Sequence, residues 1–362
     1  LRITNSMMVS RMMGNMNSNL RSMDKLNNDL ASGVKIHRPS DDPVLVGRSL
    51  KIHTDIAQTA QFTRNVDDAY SFLDKTETSL KELNNVMHRV RELTGQAANG
   101  VLTKEDSQKI ESEIKQLKDH MTKIGNDTYV GRHIFSGFAT DKPFLDKQGS
   151  ISSEFISSAD GSIKTKGQDI EYQVGVSGKS TVNITGDQIF GPVETDRVKY
   201  EPDAGGDYYW KENLTLMGSY KMNVPQLDKD GNEIDVDGTL VKDTGKAGAT
   251  KEIMVQGTMD KLIAAMEKGD SEAMSNLLQD IDVHMDNINK LRGDVGARMN
   301  TVEVIKDRAE TMNLNFAKLL SETEDTDMGE AVMNLSMREA VYKASLSTGA
   351  RIIQPTLIDF LR

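Results

Sequence analysis

The chain has 362 residues, with 37% hydrophobic and only 5% aromatic content, 20 Met and no Cys. That is enough apolar material for two or three domains, in a balance that suits long helices packed through flexible aliphatic seams better than one thick core. Without Cys there can be no disulfide, Cys-ligated zinc or thiol catalysis. A formal net charge of -11 argues against nucleic acid as a partner, because phosphate binding needs concentrated positive charge.

The first segment carries Val9, Met16, Met23 and Leu30 at seven-residue intervals, with Met12 and Leu26 at the intervening position, until Gly33 breaks the pattern. This predicts a short coiled-coil helix. No apolar run there or elsewhere suits a secretory signal or a membrane span, so no membrane insertion is expected. A second helix is predicted to open at Ser40-Asp41-Asp42-Pro43, where Asp42 can cap free backbone N–H groups and Pro43 takes the first helical position. Its seam runs through Val66, Ala69, Leu73, Leu80, Leu83, Met87, Val90 and Ala97, interrupted by Thr76 and Thr94, and ends at Asn99-Gly100. A third helix follows, with Thr103 and Asp106 as a capping pair and Ile110, Ile114, Leu117, Met121 and Ile124 as its stripe.

Between residues 141 and 250 the chemistry changes. Half of the glycines and the single Trp210 fall here, and Ile170–Val174 and Thr181–Ile184 alternate as short strands do. A β-rich domain inserted between two helical halves is expected. Beyond it, Met274, Ile281, Ile288, Val295, Val302, Ala309 and Phe316 hold one heptad register and Leu277, Leu291, Ile305, Met312 and Leu319 most of the other, which predicts one long helix. A last amphipathic segment with Leu335, Tyr342, Leu346 and Ile353 runs out near Pro355 and is the natural mate of the first helix. Residues 1–40 carry six Lys/Arg against two acids, net +4, and residues 321–362 four against seven, net -3, so the two ends are electrostatically complementary.

Catalytic chemistry is not legible. Gly175-Val176-Ser177-Gly178-Lys179-Ser180 lacks the leading glycine of a phosphate-binding loop, since Gln173 stands there, and reads as a hairpin turn. Asp228-Lys229-Asp230-Gly231-Asn232-Glu233 has its glycine too early for a calcium loop. The six His are dispersed, so no metal, cofactor or catalytic residue is expected. The acids Glu322, Glu324, Asp325 and Asp327 are read as the start of the last helix.

Both ends resemble the flagellin family. At the N-terminal side the likeness lies in Arg2-Ile3-Thr4-Asn5, Leu30-Ala31-Ser32-Gly33, Arg38-Pro39-Ser40-Asp41-Asp42-Pro43, Asn65–Ala69 and Ile134–Gly137. At the C-terminal side it lies in Gly293–Asn300, including Gly296, Arg298 and Asn300, then in Glu324–Asp327 and Pro355–Leu361. Pro39 and Pro43, flanking the paired acids where flagellins usually show an Ala-rich stretch, resemble the branch that joins hook to filament.

The resemblance implies a mainly α fold: an antiparallel helical bundle formed by the two halves of the chain, with an inserted β-rich domain. The expected division is 1–38 plus 325–362 as a terminal coiled-coil assembly domain, 39–140 plus 251–324 as a helical rod domain, and 141–250 as the outer domain. It also implies a non-enzymatic, self-assembling junction subunit of the bacterial flagellum, with the filament subunit itself as the alternative. Implied partners are copies of the chain in a ring, another hook-associated protein on the hook side, flagellin on the filament side and a flagellar export chaperone. Export without a cleaved signal peptide to an extracellular location goes with it. Marginal amphipathic helices take most of their stability from tertiary contacts, so the ends are expected to order on assembly. The residues expected to carry it are Val9, Met12, Met16, Met23, Leu30, Leu335, Tyr342, Leu346, Ile353, Leu357 and Leu361.

Overall fold

The computed structural model describes residues 5–98, 104–156, 163–176, 178–203, 206–217, 219–227, 233 and 250–358. Three helices come first, α1 (Asn5–Ser32), α2 (Pro43–Ala98) and α3 (Lys104–Gly125). Short strands follow: β1 (Thr128–Tyr129), β2 (Arg132–His133), β3 (Glu171–Gln173) and β4 (Lys179–Thr181). A five-residue helix, α4 (Gly186–Phe190), precedes β5 (Pro192–Asp203), β6 (Gly206–Thr215), β7 (Ser219–Pro225) and β8 (Thr250–Gln256). The chain returns through α5 (Thr258–Lys268), α6 (Ser271–Glu324) and α7 (Met328–Ile358). The expected class, mainly α with an inserted β-rich stretch, is the one observed. The chain divides into two units, Leu1–Gln61 with Arg308–Arg362, and Phe62–Asp307.

In the unit Phe62–Asp307, the predicted seam of α2 is buried at every named position from Val66 to Ala97. Thr76 and Thr94 do not interrupt it: both are fully buried, their hydroxyls donating to the carbonyls of Phe72 (2.8 Å) and Val90 (2.7 Å) one turn back. Against this seam lie Met274, Leu277, Ile281, Ile288, Leu291, Val295 and Val302 of α6. The pairs Arg91–Asp282 (2.6 Å), Glu77–Arg292 (2.7 Å) and Asp67–Lys306 (2.8 Å) fix the two helices as antiparallel. The third helix runs antiparallel to α2 through Arg89–Glu113 (2.8 Å) and Glu82–His120 (3.1 Å).

The same core takes in the inserted segment. Rings of Phe135, Phe144, Phe155 and Phe190 pack edge-on or tilted on one another, which joins residues 134–190 to the helical seam. A Cβ at Gly186 would lie 2.5 Å from the Phe144 ring, so only glycine permits that approach. The predicted hairpin at Gly175–Ser180 is present: β3 and β4 pair antiparallel with Gln173 opposite Lys179, and Val174 N donates to Gly178 O at 3.0 Å. Antiparallel pairing also joins β1 to β2, β5 to β6 and β7 to β8.

Three expectations are corrected. The return is not limited to two helices, because α5 forms a separate turn-capped helix ended by Gly269 in a left-handed conformation (φ 72°), whose N–H reaches Ala265 O and Met266 O. The last helix does not stop near Pro355 but stays helical through Ile358, since one proline removes a single backbone donor from its ladder. Of the acids read as a helix start, only Asp327 serves one, its Oδ1 accepting from Glu330 N at 3.0 Å. Glu322 and Glu324 close α6 instead, a place the helix dipole disfavours. Asn99-Gly100, Thr103 and Asp228–Asn232 lie outside the described residues.

His284 on α6 is buried, with Nε2 3.0 Å from Thr258 Oγ1 on α5. Burial, helped by the nearby charge of Lys261, pushes its pKa down to about 3, so the ring is neutral in the folded chain at pH 7.

Candidate assembly interface

The unit Leu1–Gln61 with Arg308–Arg362 is built differently. Among its described residues the buried apolar side chains are only Ile52, Ala309 and Ala331. Heptad burial along α6 fades at the same point: Ala309 is buried, Phe316 and Leu319 are half-buried, and Met312 and Leu314 are exposed.

Here α1 and α7 pack on one another in antiparallel sense. Asn19 Nδ2 donates to Arg338 O at 2.9 Å, and further along a Cβ at Gly349 would lie 2.5 Å from Met12 Cε. The residues of α7 with the least exposure are Ala331, Asn334, Leu335, Tyr342, Ser345 and Gly349, a mostly small or polar set. Its large apolar side chains Met328, Val332, Met333, Met337, Val341 and Leu346 are exposed. The first helix likewise exposes Met7, Met8, Met13 and Leu20. Exposed apolar side chains in this number, on several sides of a helix pair with almost no core of its own, make a surface suited to burial against other bodies.

Of the expected assembly residues, Val9, Met12, Met16, Met23, Leu30, Leu335 and Tyr342 are half-buried and Leu346 is exposed. Ile353 and Leu357 fall within α7 by backbone, with side chains that are not described, and Leu361 lies outside the described residues.

A clamp fixes the base of the pair. Thr326 N donates to Gly33 O (2.9 Å) and Lys35 N to Glu324 O (2.8 Å), a two-stranded bridge between Val34 and Asp325. Gly33, at φ 75°, supplies the left-handed turn that ends α1. Lys35 Nζ donates to Glu322 O at 3.1 Å, a cation at a helix C-terminus. The Glu324 carboxylate accepts from Ser49 Oγ and lies 3.2 Å from His53 Nε2. Asp29, buried on α1, meets His37 Nε2 at 3.0 Å.

Within the motif Arg38–Pro43, Asp41 Oδ2 accepts from the backbone N–H groups of Arg38 (2.9 Å) and His37 (3.2 Å). Those bonds hold its carboxyl below the usual range. Asp42 Oδ1 accepts from Val44 N and Leu45 N, both at 3.0 Å, so Asp42 caps α2 with Pro43 as its first residue, as the sequence implied. Arg38, Pro39 and Ser40 are exposed. The other signature residues sit on α6: Arg298 Nη1 donates to Asn183 O at 2.8 Å and ties the helix to the end of the β3–β4 hairpin. Gly296 has open space where a Cβ would stand, and Asn300 is exposed.

No group of three or more His, Cys, Asp or Glu placed to hold a metal occurs among the described residues, and no described helix is long and apolar enough to cross a membrane.

The model of the bacterial flagellin N-terminal helical region matches residues 3–140. Flagellar hook-associated protein 3 of Escherichia coli is 22% identical over 347 residues, 95% of this chain and 95% of that protein. The flagellar filament 41 kDa core protein of Borreliella burgdorferi is 35% identical over 119 residues, 33% of this chain and 35% of that one. Among solved structures, a flagellar hook-associated protein from Vibrio parahaemolyticus superposes with a TM-score of 0.54 at 20% identity, covering 79% of this chain and 100% of its own.

Proposed function

We propose, from the premise that this chain belongs to the flagellin family and resembles hook-associated protein 3 along its length, that it is the self-assembling junction subunit between hook region and flagellin filament. The observation that carries the reading is the outward placement of Met328, Val332, Met333, Met337, Val341 and Leu346 on a helix pair that buries almost nothing of its own. Neighbouring copies would cover these side chains, and the gain of about 25 cal/mol per Å² of apolar area is what holds subunits in place. Residues 1–38 with 325–362 are the assembly domain on this account, 39–140 with 251–324 the helical rod, and 141–250 the outer domain. The partners are ring neighbours, a hook-associated protein below, flagellin above and an export chaperone before secretion. The location is extracellular.

The mechanism is structural and needs no catalytic group. A terminal pair held by the Gly33–Thr326 clamp and a few half-buried side chains is marginal by itself. Contacts with neighbours complete its core, so a pair that only transiently holds its arrangement in the free chain becomes stably ordered on incorporation. Likeness over 95% of the chain to a hook-associated protein, against a third for a filament protein, favours the junction over the filament role. Truncation tests the assembly reading: chains lacking residues 1–35 or 325–362 should keep a folded middle and fail to incorporate, and normal incorporation would refute it. Seeded growth separates the two roles, since a filament subunit extends long filaments and a junction subunit stops at a short zone.

A further inference from the structure

Along α1 the heptad positions alternate at three and four residues: Val9, Met12, Met16, then Met23, Leu26, Leu30. The series calls for an apolar residue at 19, and Asn19 stands there, 8% exposed. Its amide is placed on the partner helix, with Nδ2 2.9 Å from Arg338 O and Oδ1 3.5 Å from Arg338 Nη1. Nδ2 also lies 3.9 Å from Met23 Sδ.

The apolar stripe cannot set the alignment of the pair. Val9, Met16, Met23 and Leu30 would present the same face after a slide of seven residues. The same slide would bring Asn19 opposite Ala331 or Ser345 in place of Arg338, with no guanidinium to meet its Oδ1. It would also set Met12 against Tyr342 in one direction, where Gly349 now leaves room. A single polar residue in an apolar seam is a known means of fixing register at some expense of stability.

We infer that Asn19, paired with Arg338, sets the register of the α1–α7 helix pair. Its role is to select one alignment in a seam that would tolerate several, and it matters most in a marginal pair that samples alternatives. The register stands on the contacts themselves; only its consequence, that a slipped pair presents the wrong face to neighbours, rests on the assembly reading.

The absence of Cys makes the test direct. Two full-length reporters are made, Met12→Cys with Gly349→Cys for the observed register and Met12→Cys with Tyr342→Cys for a slide of one heptad. The slide moves α7 by about 10 Å along its axis, beyond the reach of a disulfide from the wrong alignment. Under mild oxidation of the dilute chain, the first reporter should close at least about ten-fold faster than the second, and Asn19→Leu should bring the two rates within about three-fold. Helix content in Asn19→Leu should be unchanged or higher. An unchanged ratio in Asn19→Leu, a ratio near one with Asn19 present, or loss of helix in Asn19→Leu would each overturn the proposal. Incorporation is measured separately: closure as expected without incorporation would sink the assembly reading and leave the register intact.

Discussion

Replacing Val332, Met333, Met337 and Val341 together by Gln removes much of the exposed apolar surface of α7 while leaving its contact with α1 in place. The four are 52%, 61%, 59% and 50% exposed, so about half of each side chain remains to be buried on assembly. Full burial of such a side chain is worth about 1.5–3 kcal/mol; half of that is about 1 kcal/mol each and about 4 kcal/mol for the set. At 1.4 kcal/mol per decade this is nearly three orders of magnitude in affinity for a growing end. Gln matches Met in helix propensity and exceeds Val, so the free chain should unfold at the same denaturant concentration or a slightly higher one. The assay is competitive incorporation of variant and parent onto hook-bearing basal structures, with equilibrium unfolding as the control. Equal incorporation, or loss of incorporation with an equal loss of monomer stability, would refute the reasoning.

Acid should act on the other unit. The His284 pKa of about 3 when folded lies below the ordinary 6.5 of an unfolded chain. The unfolded state therefore takes up a proton first, and the contribution is intact above pH 6.5 and lost as pH falls from 6.5 to 3. The slope approaches about 1.4 kcal/mol per pH unit, or about 2 kcal/mol between pH 6.5 and 4.5, read by urea unfolding; His284→Gln should flatten that part of the profile. Val130, 83% exposed, holds φ at 49° beside Gly131 at 76° in the β1–β2 turn, a conformation costing a β-branched residue about 1 kcal/mol. Val130→Gly should raise the thermal midpoint by about 2–4 °C, and a fall would contradict the strain. Thr94→Val removes a hydroxyl whose bond, among the described residues, is to the Val90 carbonyl of its own helix, so stability should change by less than about 1 kcal/mol. A larger loss would mean a second partner for Thr94.

The sequence was most informative where large apolar residues recur at one interval. The α2 and α6 seams, the Asp42 cap and the β3–β4 hairpin could each be read from residue type and spacing, because burial and backbone chemistry leave few alternatives. The inner face of α7 could not, since Ala331, Ser345 and Gly349 pack by being small and carry no hydrophobic signal. Leu346 fits the apolar pattern yet is exposed. Helix α5 was hidden by its length: eleven residues between a strand and a long helix show too few turns to stand out. The one signal that could have found Asn19 was the gap between Met12 and Leu26, a missing apolar residue in an otherwise regular series.

Neighbouring subunits should complete the core that the terminal helices lack. Amide hydrogen exchange, compared between the dilute chain and assembled material, reads this directly. Residues 5–32 and 328–358 should exchange rapidly in the free chain, become protected on assembly, and contrast throughout with the α2 seam from Val66 to Ala97, protected in both states. Strong protection of both terminal helices in the dilute chain, unchanged by assembly, would contradict it.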